Sequence, residues 1–184
     1  GKGMIGKLLE KIYEKKFERE IADFKDEDFN AYNLKRNLVS MSSVSLTNYL
    51  TLHFPRNGQE YSEHKRKFKK IKSLDHEDIS TAIARMDRIN HVNDQKRFFF
   101  FIGALFTIIA TVIATILRKI KFDPDATNSE IVATISMVYT IPIVIYLLFS
   151  WAVIMDSFNK ATINYFKDLL IQARDEKKND IEID

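Results

Sequence analysis

The sequence predicts an all-α membrane protein: a two-span transmembrane helical hairpin with cytosolic helices. Two apolar runs carry most of that prediction. Phe98 to Leu117 (FFFFIGALFTIIATVIATIL) and Ile131 to Met155 (IVATISMVYTIPIVIYLLFSWAVIM) hold 20 and 25 residues, with no Asp, Glu, Lys, Arg or His in either. A hydrocarbon core of about 30 Å takes roughly 20 apolar residues as helix. The second observation is that the rest of the chain is densely charged, with apolar residues at helical spacing. The third is the absence of cysteine, which excludes a disulfide framework and a thiolate zinc site. The organisation read from these is a cytosolic, mostly helical region over 1–97, a first span over 98–117 and an external loop over 118–130. A second span over 131–155 leads to a cytosolic helix and charged tail over 156–184.

Ile5, Leu8, Leu9, Ile12, Tyr13, Phe17, Ile21 and Phe24 recur at steps of three and four, one face of an amphipathic helix. The stripe suits a membrane surface, the remaining soluble part or a neighbouring subunit. Near-equal Glu and Lys on the polar face favour docking on protein. Asp26 to Asn30 reads as a break. Asn33 to Phe54 mixes alternation with many Ser and Thr, and fits one or two short strands or a buried helix; periodicity does not separate them. Pro55-Arg56-Asn57-Gly58 is a turn, and Glu60 to Ser73 a basic helix. Asp75 can cap the next helix, with Glu77 and Asp78 in its first turn and Ile79, Ala82, Ile83, Met86, Ile89 and Asn93 on one face. No Pro or Gly interrupts that run before Gly103. The expectation is one helix from Asp75 to Lys119, part cytosolic and part embedded.

Asp123-Pro124-Asp125 turns the chain, and Asn128 or Ser129 can cap the second long helix. Pro142 lacks the N–H that would bond Val138, so it should kink the second span. The tail RDEKKNDIEID is expected to fray.

Charge sets the expected topology. Residues 1–97 hold 20 Lys and Arg against 15 Asp and Glu, and Arg85, Arg88, Lys96 and Arg97 crowd the start of the first span. The positive-inside rule places the N-terminus in the cytosol, and the hairpin returns the C-terminus to the same side. Arg118, Lys119 and Lys121 pull weakly the other way. Met4 to Phe24 has no continuous apolar core, so it is not a signal peptide, and the first span reads as an uncleaved anchor. The localisation implied is the bacterial inner membrane. Phe98, Phe99, Phe100, Phe101 and Trp151 then form an interface belt at the cytosolic level. The basic excess can meet lipid headgroups or nucleic-acid phosphates.

Gly103, Thr107, Thr111 and Thr115 stand at successive i+4 positions of the first span. Small residues allow close helix approach in lipid, and hydroxyls can bond across the contact. The line either packs the hairpin or faces the axis of an oligomer and lines a pore. The spans hold no ionisable group, which disfavours pumps, coupled transporters and voltage sensors. His53, His64 and His76 have no metal-ligand spacing. No phosphate loop, nucleophile elbow or paired-acid signature is present, so no catalytic residue, metal or cofactor is assigned.

Arg85 and His91, in RMDRINH, resemble the Arg and His of HEPN ribonucleases, although Met86 stands where a polar residue is usual. Length, the two spans and the flanking charged helices resemble two groups of bacterial antiphage effectors. One is the SLATT-type two-span effectors; the other is the membrane accessory protein of type VI-B CRISPR systems, to which Arg85 and His91 add. The resemblance implies a homo-oligomeric pore that breaches the inner membrane, with the bilayer, further copies of itself and a soluble CRISPR or other defence effector as partners. The competing readings are a non-conducting anchor that recruits a soluble partner and, disfavoured by the large cytosolic part, a holin-like lysis protein.

The topology is checked by cysteine labelling from outside intact cells. A Cys at Ala126 should be marked and one at Asn57 spared; the reverse pattern sinks the assignment.

Overall fold

The computed structural model describes residues 3–120 and 128–183, and every regular element among them is helical. The helices are α1 (Met4–Glu20), α2 (Ala31–Ser40), α3 (Ser43–His53), α4 (Tyr61–Lys72), α5 (His76–Ile120) and α6 (Asn128–Ile183). The Asp123-Pro124-Asp125 turn and most of the expected external loop lie outside the described residues. The chain divides into two compact units, residues 1–90 with 159–184, and residues 91–158. The second unit therefore begins seven residues before the first apolar run, at His91, and ends three after the second, at Phe158.

In the charged unit the ambiguous stretch over 33–54 is two helices. Asn30 accepts from the Asn33 amide at 2.8 Å and starts α2; Ser42 accepts from the Ser45 amide at 3.2 Å and starts α3. The Thr residues that resembled strand are absorbed by the helix itself. Thr47 and Thr51 donate to the carbonyls of Ser43 and Thr47 at 2.7 and 2.8 Å. Leu34 and Leu38 of α2, then Leu46, Tyr49 and Leu50 of α3, are buried at helical spacing. The turn at Pro55 forms as expected, with the Gly58 amide donating to the Pro55 carbonyl at 3.1 Å. Gly58 has φ +87°, a conformation that side chains resist.

The core closes on α5 and α6. Ile79, Ala82, Met86 and Ile89 of α5 are buried, as are Ile163, Phe166, Leu169, Leu170 and Ala173 of α6. Phe54 sits 5.7 Å from Phe166, joining α3 to α6. Asn90 Nδ2 donates to Asn164 Oδ1 at 2.6 Å, and Lys167 pairs with Asp87. The tail does not fray: α6 runs to Ile183. Two of its acids share a partner, since Lys72 Nζ lies 2.9 Å from Asp180 and 3.6 Å from Glu176. The run of mixed charge is a helix face laid on α4.

Helices end with carbonyls that lack intrahelical partners. Here three cations from other helices reach four carbonyls at or just past helix ends. Arg85 of α5 donates to the carbonyls of Leu38 and Met41 at the end of α2. Lys67 of α4 donates to the His53 carbonyl, the last residue of α3, at 2.9 Å. Lys177 of α6 donates to the Leu74 carbonyl just beyond α4. The Arg85 and Lys67 contacts satisfy acceptors at helix ends and place positive charge at the negative end of a helix dipole, while Lys177 ties α6 to the link between α4 and α5.

Arg85→Ala would leave two carbonyls without their donor. We expect it to cost about 1–3 kcal/mol, whereas His91→Ala, at an exposed position, should stay within about 0.5 kcal/mol. Unfolding of the detergent-solubilised protein, followed by far-UV circular dichroism, measures both. Equal losses would mean that the guanidinium is not a cap.

Candidate functional site

The hairpin unit is built from the apolar parts of α5 and α6, with charged residues at their ends. Half-buried positions on α6 are Ile131, Thr134, Val138, Pro142, Ile145 and Phe149, at steps of three and four. On α5 they include Ala104, Ile108, Thr111 and Thr115. Two antiparallel helices meeting along such stripes pack ridges into grooves. At one end Phe149 stacks on Phe100, with ring centroids at 5.9 Å and planes 5° apart, and lies 5.3 Å from Phe101. One helical turn further, Arg97 Nε pairs with Asp156 at 3.0 Å and its guanidinium with Asp94 at 2.5 Å. Toward the other end the helices leave a recess of about 400 Å³, lined by Thr111, Ala114, Thr115, Arg118, Thr134, Met137 and Ile141.

The Thr line divides along its length. Gly103 and Thr107 are exposed, while Thr111 and Thr115 are half-buried beside the seam. All three hydroxyls donate to the carbonyl four residues back: Thr107 to Gly103 at 2.9 Å, then Thr111 to Thr107 and Thr115 to Thr111, both at 2.8 Å. Thr134 does the same to Glu130 at 2.9 Å. Satisfied in this way, each Thr can face lipid, another helix or water without an orphaned donor. Phe98 and Phe99 are exposed beside one another, and Trp151 is also exposed. Pro142 lies inside α6, which continues through it.

The charged unit holds a buried polar cluster that the sequence does not advertise. His53 packs between Phe29 and Tyr49, 4.7 Å from each ring, with its Nε2 buried and unbonded. Burial first, then the nearby Lys67 and Arg66, lowers its pKa to about 4, so the ring is neutral. Burial likewise pushes the Tyr49 hydroxyl up to about 12 and draws Lys67 below the ordinary lysine value. Lys67 stands over the Phe29 ring at 5.9 Å. Asn37 donates to Glu27 at 2.7 Å, and Arg36 pairs with the same carboxylate at 2.7 Å. These groups lock α2, α3 and α4 together.

The two residues of the HEPN-like pair have separate surroundings. Arg85 is engaged by the end of α2, and burial lowers its pKa. His91 is exposed with Gln95 at 3.3 Å. Six helical residues also turn the second side chain about 240° round from the first. Sequence reading missed the Arg97–Asp156 pair, although it could be found. Arg97 is the last cation before one apolar run and Asp156 the first acid after the other, which an antiparallel hairpin brings to one level.

A charged helical unit joined to a hairpin of two apolar runs defines a helical membrane protein. The chain belongs to the YomK prophage membrane protein family, which it matches over residues 32–175. It is 34% identical over 149 residues to the SPbeta prophage-derived uncharacterized protein YomK of Bacillus subtilis (strain 168), covering 81% of this chain and 99% of that relative. The matched family is neither of the two effector groups that the architecture resembles. No solved structure matches the chain. The family match begins at Tyr32, so α1 lies before it.

His53 sets a pH dependence. Its unfolded pKa is about 6.5, and the folded value is about 4, so the unfolded chain takes up the proton first as pH falls. The stabilisation is complete above pH 6.5, is lost between there and pH 4, and is level below. Its size is on the order of 3 kcal/mol or less. Denaturation midpoints across that range should show the loss in the parent protein and lose that component in His53→Gln. Identical slopes for both would contradict it.

Proposed function

We propose that this protein is a prophage-encoded effector of the bacterial inner membrane that assembles as a homo-oligomer and opens a pore in antiphage defence. The observation that supports it is the Gly103, Thr107, Thr111 and Thr115 line. Packing of the two spans covers only part of it, leaving Gly103 and Thr107 on an outward face. Two helices cannot enclose a pore, so a conducting path needs several copies arranged symmetrically. Each interhelical contact between small or hydroxyl side chains contributes only about 0.6–2 kcal/mol, which favours many acting together in a closed ring. A resident prophage shares its host's fate, and membrane permeabilisation on infection by a second phage would halt that phage. The resemblance to SLATT-type effectors and the type VI-B CRISPR accessory protein fits the same use of a two-span hairpin. The reading assigns no catalysis; Arg85 acts in it as a helix cap.

A second reading is a non-conducting anchor that recruits a soluble defence effector. The exposed apolar residues of α1 favour it, because they leave a surface unused by the chain's own core.

Ion flux through liposomes containing the purified protein separates the two. If the line faces the axis, Thr111→Leu should abolish flux and leave the oligomer intact. If it packs helix on helix, the same change should break the assembly. A protein that is monomeric by light scattering in mild detergents and in native nanodiscs would defeat the pore.

A further inference from the structure

Helix α1 is attached to the charged unit by one end and one side. Phe17 packs against the core, and Ile21 and Phe24, just beyond the helix, are buried in it. Tyr13 takes the Arg56 guanidinium over its ring at 5.9 Å, and Asn48 donates to Glu20 at 2.7 Å. Met4, Ile5, Leu8 and Ile12 are left 89%, 75%, 59% and 54% exposed, and Leu9 is exposed beside them. At about 100° per residue, the centre of this stripe lies about 130° round the helix from Tyr13 and Phe17. The chain's own core therefore cannot cover it.

No acid of α1 lies on that stripe. Lys15, Lys16 and Arg19 project within about 50° of its centre and continue it toward the C-terminus, whereas Glu10, Glu14, Glu18 and Glu20 all lie about 90° or more away, as do Lys7 and Lys11. All three cations are exposed, and Lys16 reaches Glu20 at 3.9 Å while 64% accessible. The outward face is apolar over its first half and basic over its second. The equal number of Glu and Lys along the helix hides this arrangement.

We propose that this face of α1 lies on the bilayer surface, its apolar half in the headgroup boundary and Lys15, Lys16 and Arg19 on anionic phospholipid. An interfacial helix needs that combination of exposed apolar residues and cations on one side. A second copy fits the face poorly. Parallel pairing would set the basic triplet against itself, and antiparallel pairing would set it against the apolar half. The two spans already hold the chain at a bilayer, so the surface is met at high effective concentration. The inference rests on membrane attachment and is independent of whether the hairpin conducts.

The chain has no cysteine, so Leu8→Cys carries a unique environment-sensitive fluorophore. The full-length labelled protein would be placed in nanodiscs of phosphatidylcholine alone or of equimolar phosphatidylcholine and phosphatidylglycerol. We expect the probe to be blue-shifted and several-fold less accessible to a neutral aqueous quencher in the anionic discs only. High salt should reopen it. Lys15→Glu, Lys16→Glu and Arg19→Glu should each weaken docking roughly fivefold or more, while Glu14→Lys, on another side of the helix, should not weaken it. The salt titration of the unaltered charges gives the same answer without depending on the variants. An open probe in anionic discs overturns the proposal. So does shielding that is equal in both lipids or that appears only with several chains per disc, the signature of a second copy or another protein surface.

Discussion

Three short helices in the charged unit end against cations borne by other helices, and the arrangement of that unit depends on those contacts. Arg85 closes α2, Lys67 closes α3 and Lys177 meets the chain just past α4. Short helices gain little stability from their own hydrogen bonds, so tertiary contacts must hold them. A cation that reaches a buried helix end satisfies an acceptor, opposes the end charge of the dipole and fixes the crossing of two helices at once. The apolar core supplies most of the driving force, but it discriminates poorly among nearby packings. These directional contacts select one.

The hairpin meets the same demand for partnered backbone groups by a different route. Lipid offers no water to an unpaired carbonyl or hydroxyl, so regular helix is imposed along its whole length. The hydroxyls of Thr107, Thr111 and Thr115 fold back onto their own helix. That leaves the outer surface of the first span chemically quiet, with contact shape as its main means of recognising another helix. At the end of the seam near Phe149, the Arg97–Asp156 pair adds a fixed point.

Much of the fold was legible because two of its signals are strong. Long uncharged runs and the face Ile79, Ala82, Met86, Ile89 define α5 and α6 without ambiguity. The stretch over 33–54 was not legible, because Ser and Thr favour caps, turns and strands in isolation. Here Ser42 caps, and Thr47 and Thr51 bond back along α3. The tail was misread for a related reason: a run of mixed charge has no visible partner until Lys72 of α4 is brought beside it. On α1, composition concealed direction. Counting Glu and Lys gives balance, and only the angular position of each, together with the side on which the core lies, shows that the outward face carries Lys15, Lys16 and Arg19 and no acid. The buried His53 and Tyr49 carried no local pattern that distinguished them from surface residues.

The two membrane arms are unequal. From Phe98 to Leu117 a helix rises about 30 Å, and from Ile131 to Met155 about 37 Å. The first matches an average hydrocarbon thickness and the second exceeds it by several ångströms. In one bilayer the longer arm has to tilt or bend, and Pro142 stands near its middle as the weakest point of its hydrogen-bond ladder. Hydrophobic mismatch therefore falls on α6 and spares α5. A thicker membrane would relieve it and a thinner one would increase it, so the crossing of the two arms beside Thr111 and Thr134 is tied to the lipid in which the protein resides.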